Sequence, residues 1–203
     1  SMRMNDTHDS RAHLDRPQAR NPWKERNPHL LMRPAPQPLS YGWFLARSWN
    51  WSAVDYNHRE VRDRVVAIVE DVISNYEVDG IELDFTRHLS FFREQTEGIE
   101  ITDSQRDEMT AMLERIQLLL QKEEAKTRRK IRLGVHVPDS LDYCFGLGLD
   151  LESWLEKGIP DLVIAGGDFQ LQPWSHIVAA CHAHQIPVVA SFSASSITFD
   201  PAV

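Results

Sequence analysis

Apolar positions along the chain follow two periods in turn, and these predict alternating helices and strands. After Asn57, which Glu60 follows at the spacing of a capping box, valines and isoleucines recur every three or four residues. This spacing predicts a helix over 58–76. Strict alternation of apolar and polar residues then predicts a strand over 79–85.

The same alternation of helix and strand continues through the rest of the chain. Thr102 with Gln105 forms a second capping-box pattern and begins a helix predicted over 103–124. Two shorter helices are predicted at 150–157 and 174–184. The predicted strands are 2–5, 79–85, 131–137, 161–165 and 187–192.

This order of elements indicates a parallel sheet, because strands that alternate with helices are joined by right-handed crossovers. Polar residues gather just after the predicted strands, at the edge that carries chemistry in (β/α)8 barrels and doubly wound sheets. The absence of a Gly-x-Gly-x-x-Gly motif after a first strand and of a Walker loop disfavours nucleotide and dinucleotide binding. We therefore predict an α/β fold, a parallel (β/α) barrel of the TIM type. The barrel is predicted to be incomplete, with about five strands of the eight that a full barrel of about 250 residues has.

The predicted domain organisation is a single partial barrel over 1–203, with a long loop at about 10–54 that is rich in Pro, Trp and Arg. The prolines within 33–38 cannot continue a helix or a central strand. The tryptophans of the loop indicate that it is ordered, because disordered segments are poor in aromatic residues. An incomplete barrel leaves two open sheet edges, which predicts a homodimer through these edges or a longer natural chain.

Composition and charge narrow the class of partner. The chain is 42% hydrophobic and 26% charged, which is ordinary for a globular protein with a sizeable core. Its net charge of −8 disfavours nucleic acid as a partner, because proteins that bind phosphate backbones usually present a basic face. No membrane span is predicted, since no run of about 18 apolar residues occurs, and the first residues predict no secretory signal. The two cysteines, Cys144 and Cys181, are predicted to be buried thiols.

The sharpest candidate site is the predicted strand 79–85. Period-two alternation places Glu82 and Asp84 on one face, which in a barrel is the inner face, and a rise of ~3.4 Å per residue separates them by about 6–7 Å. Burying two carboxylates is costly unless cations or hydrogen-bond donors meet them, and proteins tolerate this cost mainly at functional sites. The structural alternative is an ion pair of Glu82 with Arg3 or Arg132.

The segment 79–88 reads DGIELDFTRH and resembles the signature DGIHLDYIRYP of the glycosyl hydrolase-like family ten, a group of predicted (β/α)8 glycosidases. Six positions match, Phe85 replaces a tyrosine, and Glu82 stands where that family usually has a histidine. The resemblance is strongest over 55–92. It implies that Asp84 lies at a strand end in a sugar-binding cleft, as the nucleophile or a stabilising carboxylate.

A second carboxyl group is normally needed, since the two groups flank the glycosidic bond. The chitinase signature has its acid two residues after the last aspartate, where this chain has Thr86, and this disfavours the chitinase mechanism. Glu82 is assigned a tuning or sugar-contact role beside Asp84. The candidates for the general acid are Asp139, Asp168 and Asp6.

Further residues near the predicted strand ends are candidates for sugar contacts. Carboxylates, imidazoles and guanidinium groups hydrogen-bond hydroxyls, and tryptophan faces stack on sugar rings. A divalent metal held near His8 or His136 is an alternative use of the same cluster. The candidate substrate-binding residues are Asn5, Asp6, His8, Asp9, Arg87, His88, His136, Trp43 and Trp49.

Three function classes follow from these patterns. The leading one is a glycoside hydrolase-like protein that acts on an oligo- or polysaccharide and needs neither a cofactor nor a metal. The second is a non-catalytic carbohydrate-binding barrel. The third is a metal-dependent hydrolase or isomerase on the same fold.

Overall fold

The computed structural model describes residues 1–5, 7, 21–32, 52–167 and 170–192. Their centre is a mixed α/β arrangement around a sheet of five parallel strands. The order of the strands in the sheet is their order in the chain, as predicted. The strands are β1 (Met2–Arg3), β2 (Gly80–Asp84), β3 (Arg132–Val137), β4 (Leu162–Gly167) and β5 (Val188–Phe192).

Within the described ranges, β1 and β5 each pair with a neighbouring strand on one side only. Their outer edges therefore carry backbone groups that could pair with another strand. The homodimer through open edges stays a prediction.

Six helices connect and flank the strands of the described residues. All four predicted helices are present, with ends within three residues of the predicted ones. None of the helices in the described ranges has both the length and the apolar character that crossing a membrane requires. The helices are α1 (Pro22–Arg26), α2 (Arg59–Asn75), α3 (Asp103–Thr127), α4 (Leu141–Gly146), α5 (Leu151–Glu156) and α6 (Ser175–Ala183).

The described part of the predicted loop at 10–54 contains regular structure. Asn21 caps α1 by accepting hydrogen bonds from the backbone of Trp23 and Lys24, and a short 3-10 turn follows at Pro28–Leu30. Leu31 then forms an antiparallel bridge with Val54. The remainder of that loop lies outside the described residues.

One of the two predicted capping boxes is present and the other is not. At the start of α3, the hydroxyl of Thr102 accepts from the backbone of Gln105, whose side chain accepts from the backbone of Thr102. The box at Asn57 is wrong, because α2 has His58 at its N-cap position and no side-chain cap. The Asn57 side chain instead donates to Glu94 at 2.8 Å and accepts from Gln105 at 2.9 Å, so long-range partners occupy its polar atoms.

Aromatic rings in edge-to-face and tilted contact pack at the carboxyl end of β2. The rings of Phe85 and Trp154 have their centroids 5.7 Å apart, and those of Phe85 and Phe91 are 5.5 Å apart. Trp154 is fully buried and donates its indole N–H to the hydroxyl of Thr110 at 2.9 Å. Because Phe85 follows Asp84 directly, this cluster fixes the backbone at the strand end.

Both cysteines are free and buried, as predicted. Burial raises the pKa of the Cys181 thiol from 9.0 to about 11, and burial together with the nearby charge of Asp139 raises the pKa of Cys144 as well. The reactive thiolate is therefore scarce at pH 8, and about a hundredfold scarcer for Cys181 than for a thiol of pKa 9.

We expect native protein at pH 8 to react with iodoacetamide at least about a hundredfold more slowly than urea-unfolded protein. The rate should rise with pH, because the thiolate form is populated only as pH approaches the raised pKa. Timed alkylation followed by mass spectrometry of the two cysteine peptides checks this. Equal rates in native and unfolded protein would contradict the buried placement.

Candidate functional site

The carboxyl ends of β2 and β3 bring three of the predicted site residues together. The register of the two strands places Asp84 beside His136. The Nδ1 atom of His136 lies 3.6 Å from Oε1 of Glu82 and 3.7 Å from Oδ1 of Asp84. These distances are too long for direct hydrogen bonds. The imidazole therefore lies between two carboxylates and pairs with both when it is protonated.

Asp84 is oriented by the residue two positions further on. Its Oδ1 atom accepts from the backbone N–H of Thr86 at 2.9 Å and from the Thr86 hydroxyl at 2.8 Å. This is an Asx turn, in which an aspartate bonds to its own backbone two residues later. Oδ2 has no hydrogen-bond partner among the described residues. The turn thus fixes one carboxylate oxygen and leaves the other available to a ligand.

Among the described residues, the cation beside Asp84 is His136 and not Arg87, which follows Asp84 in the chain. Arg87 is exposed and makes no contact with Asp84 among the described residues, and His88 places its Nδ1 atom 2.9 Å from the carbonyl of Arg87. The Asx turn at Thr86 explains this, because it redirects the chain at the end of the strand. His136 on the neighbouring strand stands in their place.

His136 has a second polar atom that the described residues leave unsatisfied. Its Nε2 atom is buried without a hydrogen-bond partner there, while the side chain as a whole is 15% exposed. Buried polar atoms nearly always find a partner. The described residues thus leave this buried nitrogen without the partner that such atoms usually have.

The described ion pair of Glu82 differs from the structural alternative of a pair with Arg132. The described ion pair of Glu82 is with His136, and no contact between Glu82 and Arg132 occurs among the described residues. Glu82 lies two residues before Asp84 on the same strand, and its side chain is 36% exposed.

Asp139 is buried and holds the loop that follows β4. Its Oδ1 atom accepts from the backbone of Leu171 at 3.0 Å, and its Oδ2 atom accepts from the indole N–H of Trp174 at 2.9 Å. Both oxygens are thus used within the protein, with no cation in contact among the described residues. The geometry suits a residue that positions a loop better than one that protonates a leaving group.

Replacing Asp139 with alanine is expected to lower the free energy of unfolding by about 2–4 kcal/mol. Two hydrogen bonds to a charged group are lost, at roughly 1.5–3 kcal/mol each, and removal of a buried charge offsets part of this loss. Urea unfolding followed by circular dichroism measures the change.

The matched control for this variant is Asp142→Ala. Asp142 is an exposed aspartate in the first turn of α4, so its loss should cost less than about 1 kcal/mol, the usual size of a helix-end charge effect. Equal destabilisation of the two variants would show that the contacts of Asp139 do not stabilise the loop.

The polar side-chain atoms of Asn5 form hydrogen bonds with the backbone of other segments of the protein. Its side chain accepts from the backbone of Val54 at 3.0 Å and donates to the carbonyl of the same residue at 3.1 Å. It also donates to the carbonyl of Ser90. Asn5 therefore ties the segment after β1 to two loops, and its predicted sugar contact would have to share these atoms.

The remaining predicted site residues lie outside the described residues. Within the described ranges, no group of three or more His, Cys, Asp or Glu side chains is arranged to hold a metal ion. The predicted residues outside those ranges are Asp6, His8, Asp9, Trp43, Trp49 and Asp168.

A pocket of about 280 Å³ opens at the same edge of the sheet. It touches the Asp84 site through Thr86, the residue that orients the Asp84 carboxylate. No pattern in the sequence predicts this pocket, because its walls come from three separate segments of the chain. They are Thr86 and Leu89 after β2, Pro138 and Tyr143 after β3, and Gly166, Gly167 and Leu171 at the end of β4 and beyond.

Fold and site together define an α/β protein with a sequentially ordered parallel sheet and a carboxylate–histidine cluster at the carboxyl ends of its strands. Comparison of the chain with models of protein families found no match, and comparison with curated proteins found no significant match. The resemblance of 79–88 to a glycosidase signature therefore stays a prediction from the motif.

Proposed function

We propose that the chain is a glycoside hydrolase-like protein on a (β/α) barrel of the TIM type, to which β1 to β5 contribute five strands. The substrate is an oligo- or polysaccharide bound at the carboxyl ends of β2 and β3. The sequential strand order supports the barrel, because a doubly wound sheet reverses its order at a switch point.

The observation that carries the proposal is the state of the Asp84 carboxylate. One oxygen, Oδ1, is fixed by two donors from Thr86 and lies 3.7 Å from Nδ1 of His136, and the other has no hydrogen-bond partner among the described residues. A carboxylate held in one orientation at a strand end can stabilise the positive charge that develops at the anomeric carbon, or attack that carbon. Fixing the orientation in advance avoids reorganisation during the reaction.

Glu82 and His136 set the charge around Asp84 in this proposal. A protonated His136 would balance the two carboxylates, from which its Nδ1 atom lies 3.6 and 3.7 Å away. The general acid is assigned to Asp6 or Asp168, since the described contacts of Asp139 occupy both of its oxygens.

A second candidate function is carbohydrate binding without turnover. The contacts of Asp139 favour this second function. Three acids are predicted, and Asp139, the one that lies in the described residues, is engaged with Leu171 and Trp174. A barrel that keeps the cleft and lacks the acid would bind sugars through Asp84, Glu82 and His136.

The experiment is a screen of the complete protein against 4-nitrophenyl glycosides and oligosaccharides, with calorimetric titration of the same sugars. Turnover that Asp84→Asn removes supports the hydrolase. Sugar binding without turnover supports the second candidate. Turnover that needs an added divalent ion and stops with EDTA supports the metal-dependent class. Neither binding nor turnover with any sugar would overturn the proposal.

A further inference from the structure

The pocket beside Asp84 differs in chemistry from the carboxylate cluster that it adjoins. No charged side chain of the described residues lines it. Its walls are the apolar side chains of Leu89, Pro138 and Leu171, and the ring of Tyr143, which is 41% exposed, completes them. The pocket therefore offers apolar contact directly next to a charged site.

Two glycines at the end of β4, Gly166 and Gly167, contribute backbone to the lining of the pocket. At Gly166 the φ angle is +144°, and an added Cβ atom would come within 2.3 Å of the Ser191 carbonyl, so the close approach of β5 requires glycine there. At Gly167 an added Cβ atom would meet no described atom within 4 Å. Gly167 lines the pocket, so a side chain at this position has room among the described residues to reduce the pocket volume without displacing its described walls.

We infer that this pocket binds an uncharged, largely apolar ring, which within the proposed function is an aryl or cycloalkyl aglycone on the bond next to Asp84. A sugar ring carries hydroxyls around its edge, and each would need a polar partner on burial. Among the lining side chains of the described residues, the polar groups are the hydroxyls of Thr86 and Tyr143, and the Thr86 hydroxyl already donates to Asp84, so the pocket supplies few such partners. At about 280 Å³ it lies just below the usual range for ligand sites of about 300–1,000 Å³, which suits one ring rather than a chain of sugars.

Asp139 gives the pocket a fixed wall. Its hydrogen bonds to the Leu171 backbone and to the Trp174 indole hold the loop after β4 in place. The ring of Trp174 in turn contacts that of Phe192 on β5, with centroids 5.0 Å apart. A wall that is held before binding loses little conformational entropy when a ligand arrives.

The test uses the complete protein with ¹³C-labelled leucine methyl groups and phenol as the probe, because phenol carries the ring without the sugar. We expect saturable shifts of the Leu89 and Leu171 methyl signals. Gly167→Val, which fills the pocket, should weaken phenol binding at least tenfold. Leu171→Asp, which puts a charge into the wall, should do the same, and Leu118→Asp, a change at an exposed leucine on α3, should leave binding unchanged.

That the pocket binds a ring does not depend on the proposed function, whereas the assignment of that ring as an aglycone rests on it. The outcomes of the test distinguish a failure of the inference from a failure of the proposed function. Phenol shifts that Gly167→Val removes support the pocket as a ring site, even where no glycoside is turned over and the proposed function fails. A phenyl glycoside that binds at least tenfold more tightly than its methyl analogue supports the aglycone role. Absence of phenol shifts, or phenol binding that both pocket variants leave unchanged, would overturn the inference even if glycosides are hydrolysed.

Discussion

Replacing Asp84 with asparagine is expected to lower glycoside turnover by at least about a thousandfold, while the fold and the affinity for sugars stay close to those of the parent. A loss of this size is typical when a residue that acts at the reacting atoms is removed. Initial rates, calorimetric sugar titration and circular dichroism measure the three quantities.

The contacts of Asp84 are the reason that only turnover should change. Asparagine has the shape of aspartate, and its side-chain oxygen can still accept from the N–H and hydroxyl of Thr86. His136 keeps Glu82 as a charge partner, with Nδ1 to Oε1 at 3.6 Å. What disappears is the negative charge that, in the proposed function, stabilises the developing cation.

Asp63→Asn is the matched control, since it makes the same chemical change on α2, away from the strand ends. Asp63 pairs with Arg115 at 2.7 Å and with Arg59 at 3.4 Å, and hydrogen bonding to Arg115 lowers its pKa. Its loss should leave turnover unchanged. If Asp84→Asn were as active as Asp63→Asn, the assignment of Asp84 would be wrong and the cleft would be a binding site only.

Replacing Trp154 with alanine is expected to lower the free energy of unfolding by about 3–5 kcal/mol, the usual range for a buried large aromatic residue. Trp154 is fully buried and packs on Phe85. Its removal leaves a cavity under the end of β2 and takes the indole donor from the Thr110 hydroxyl. Urea unfolding followed by circular dichroism measures the change.

Two further variants separate packing from hydrogen bonding. Trp154→Phe keeps a ring in the cavity and loses only the N–H donor and part of the volume, so it should cost about 1–2 kcal/mol. Leu118→Ala, at a leucine that is 62% exposed on α3, should change the free energy by less than about 0.5 kcal/mol. A loss at Trp154→Ala no greater than at Leu118→Ala would contradict the role of the aromatic cluster.

The strands and the long helices could be predicted because their burial is periodic along the chain. Val61, Val65 and Val69 share one buried face of α2, and Ile81 and Leu83 alternate with exposed or half-exposed residues on β2. The short helices α1 and α4 span too few residues to show a period. Their signals were the caps: Asn21 before a proline at α1, and Ser140, which accepts from the backbone of Tyr143, at α4.

The candidate site could be predicted only as far as alternation along one strand allowed. Alternation gave the shared face of Glu82 and Asp84, but the pairing of Asp84 with His136 depends on the register of β2 and β3, which periodicity does not determine. The partners of Asp139 come from a loop 32 residues further along the chain, so nothing near it in sequence indicated an inward orientation. The role of Thr86 did have a local signal, since Asp-x-Thr at a strand end is a pattern of the Asx turn.

The arrangement of β1 has a consequence for the order in which the protein assembles. Two residue pairs join β1 to β2, and the longest connection between successive strands separates them. Closing a longer loop costs more conformational entropy, and here few contacts compensate for it. During synthesis β1 emerges first and cannot pair until β2 has been made. Each later strand is made after the strand with which it pairs. Because the backbone N–H of Met4 donates to the carbonyl of Asp84 at 2.9 Å, the strand end that carries Asp84 is completed only when this early-made segment docks.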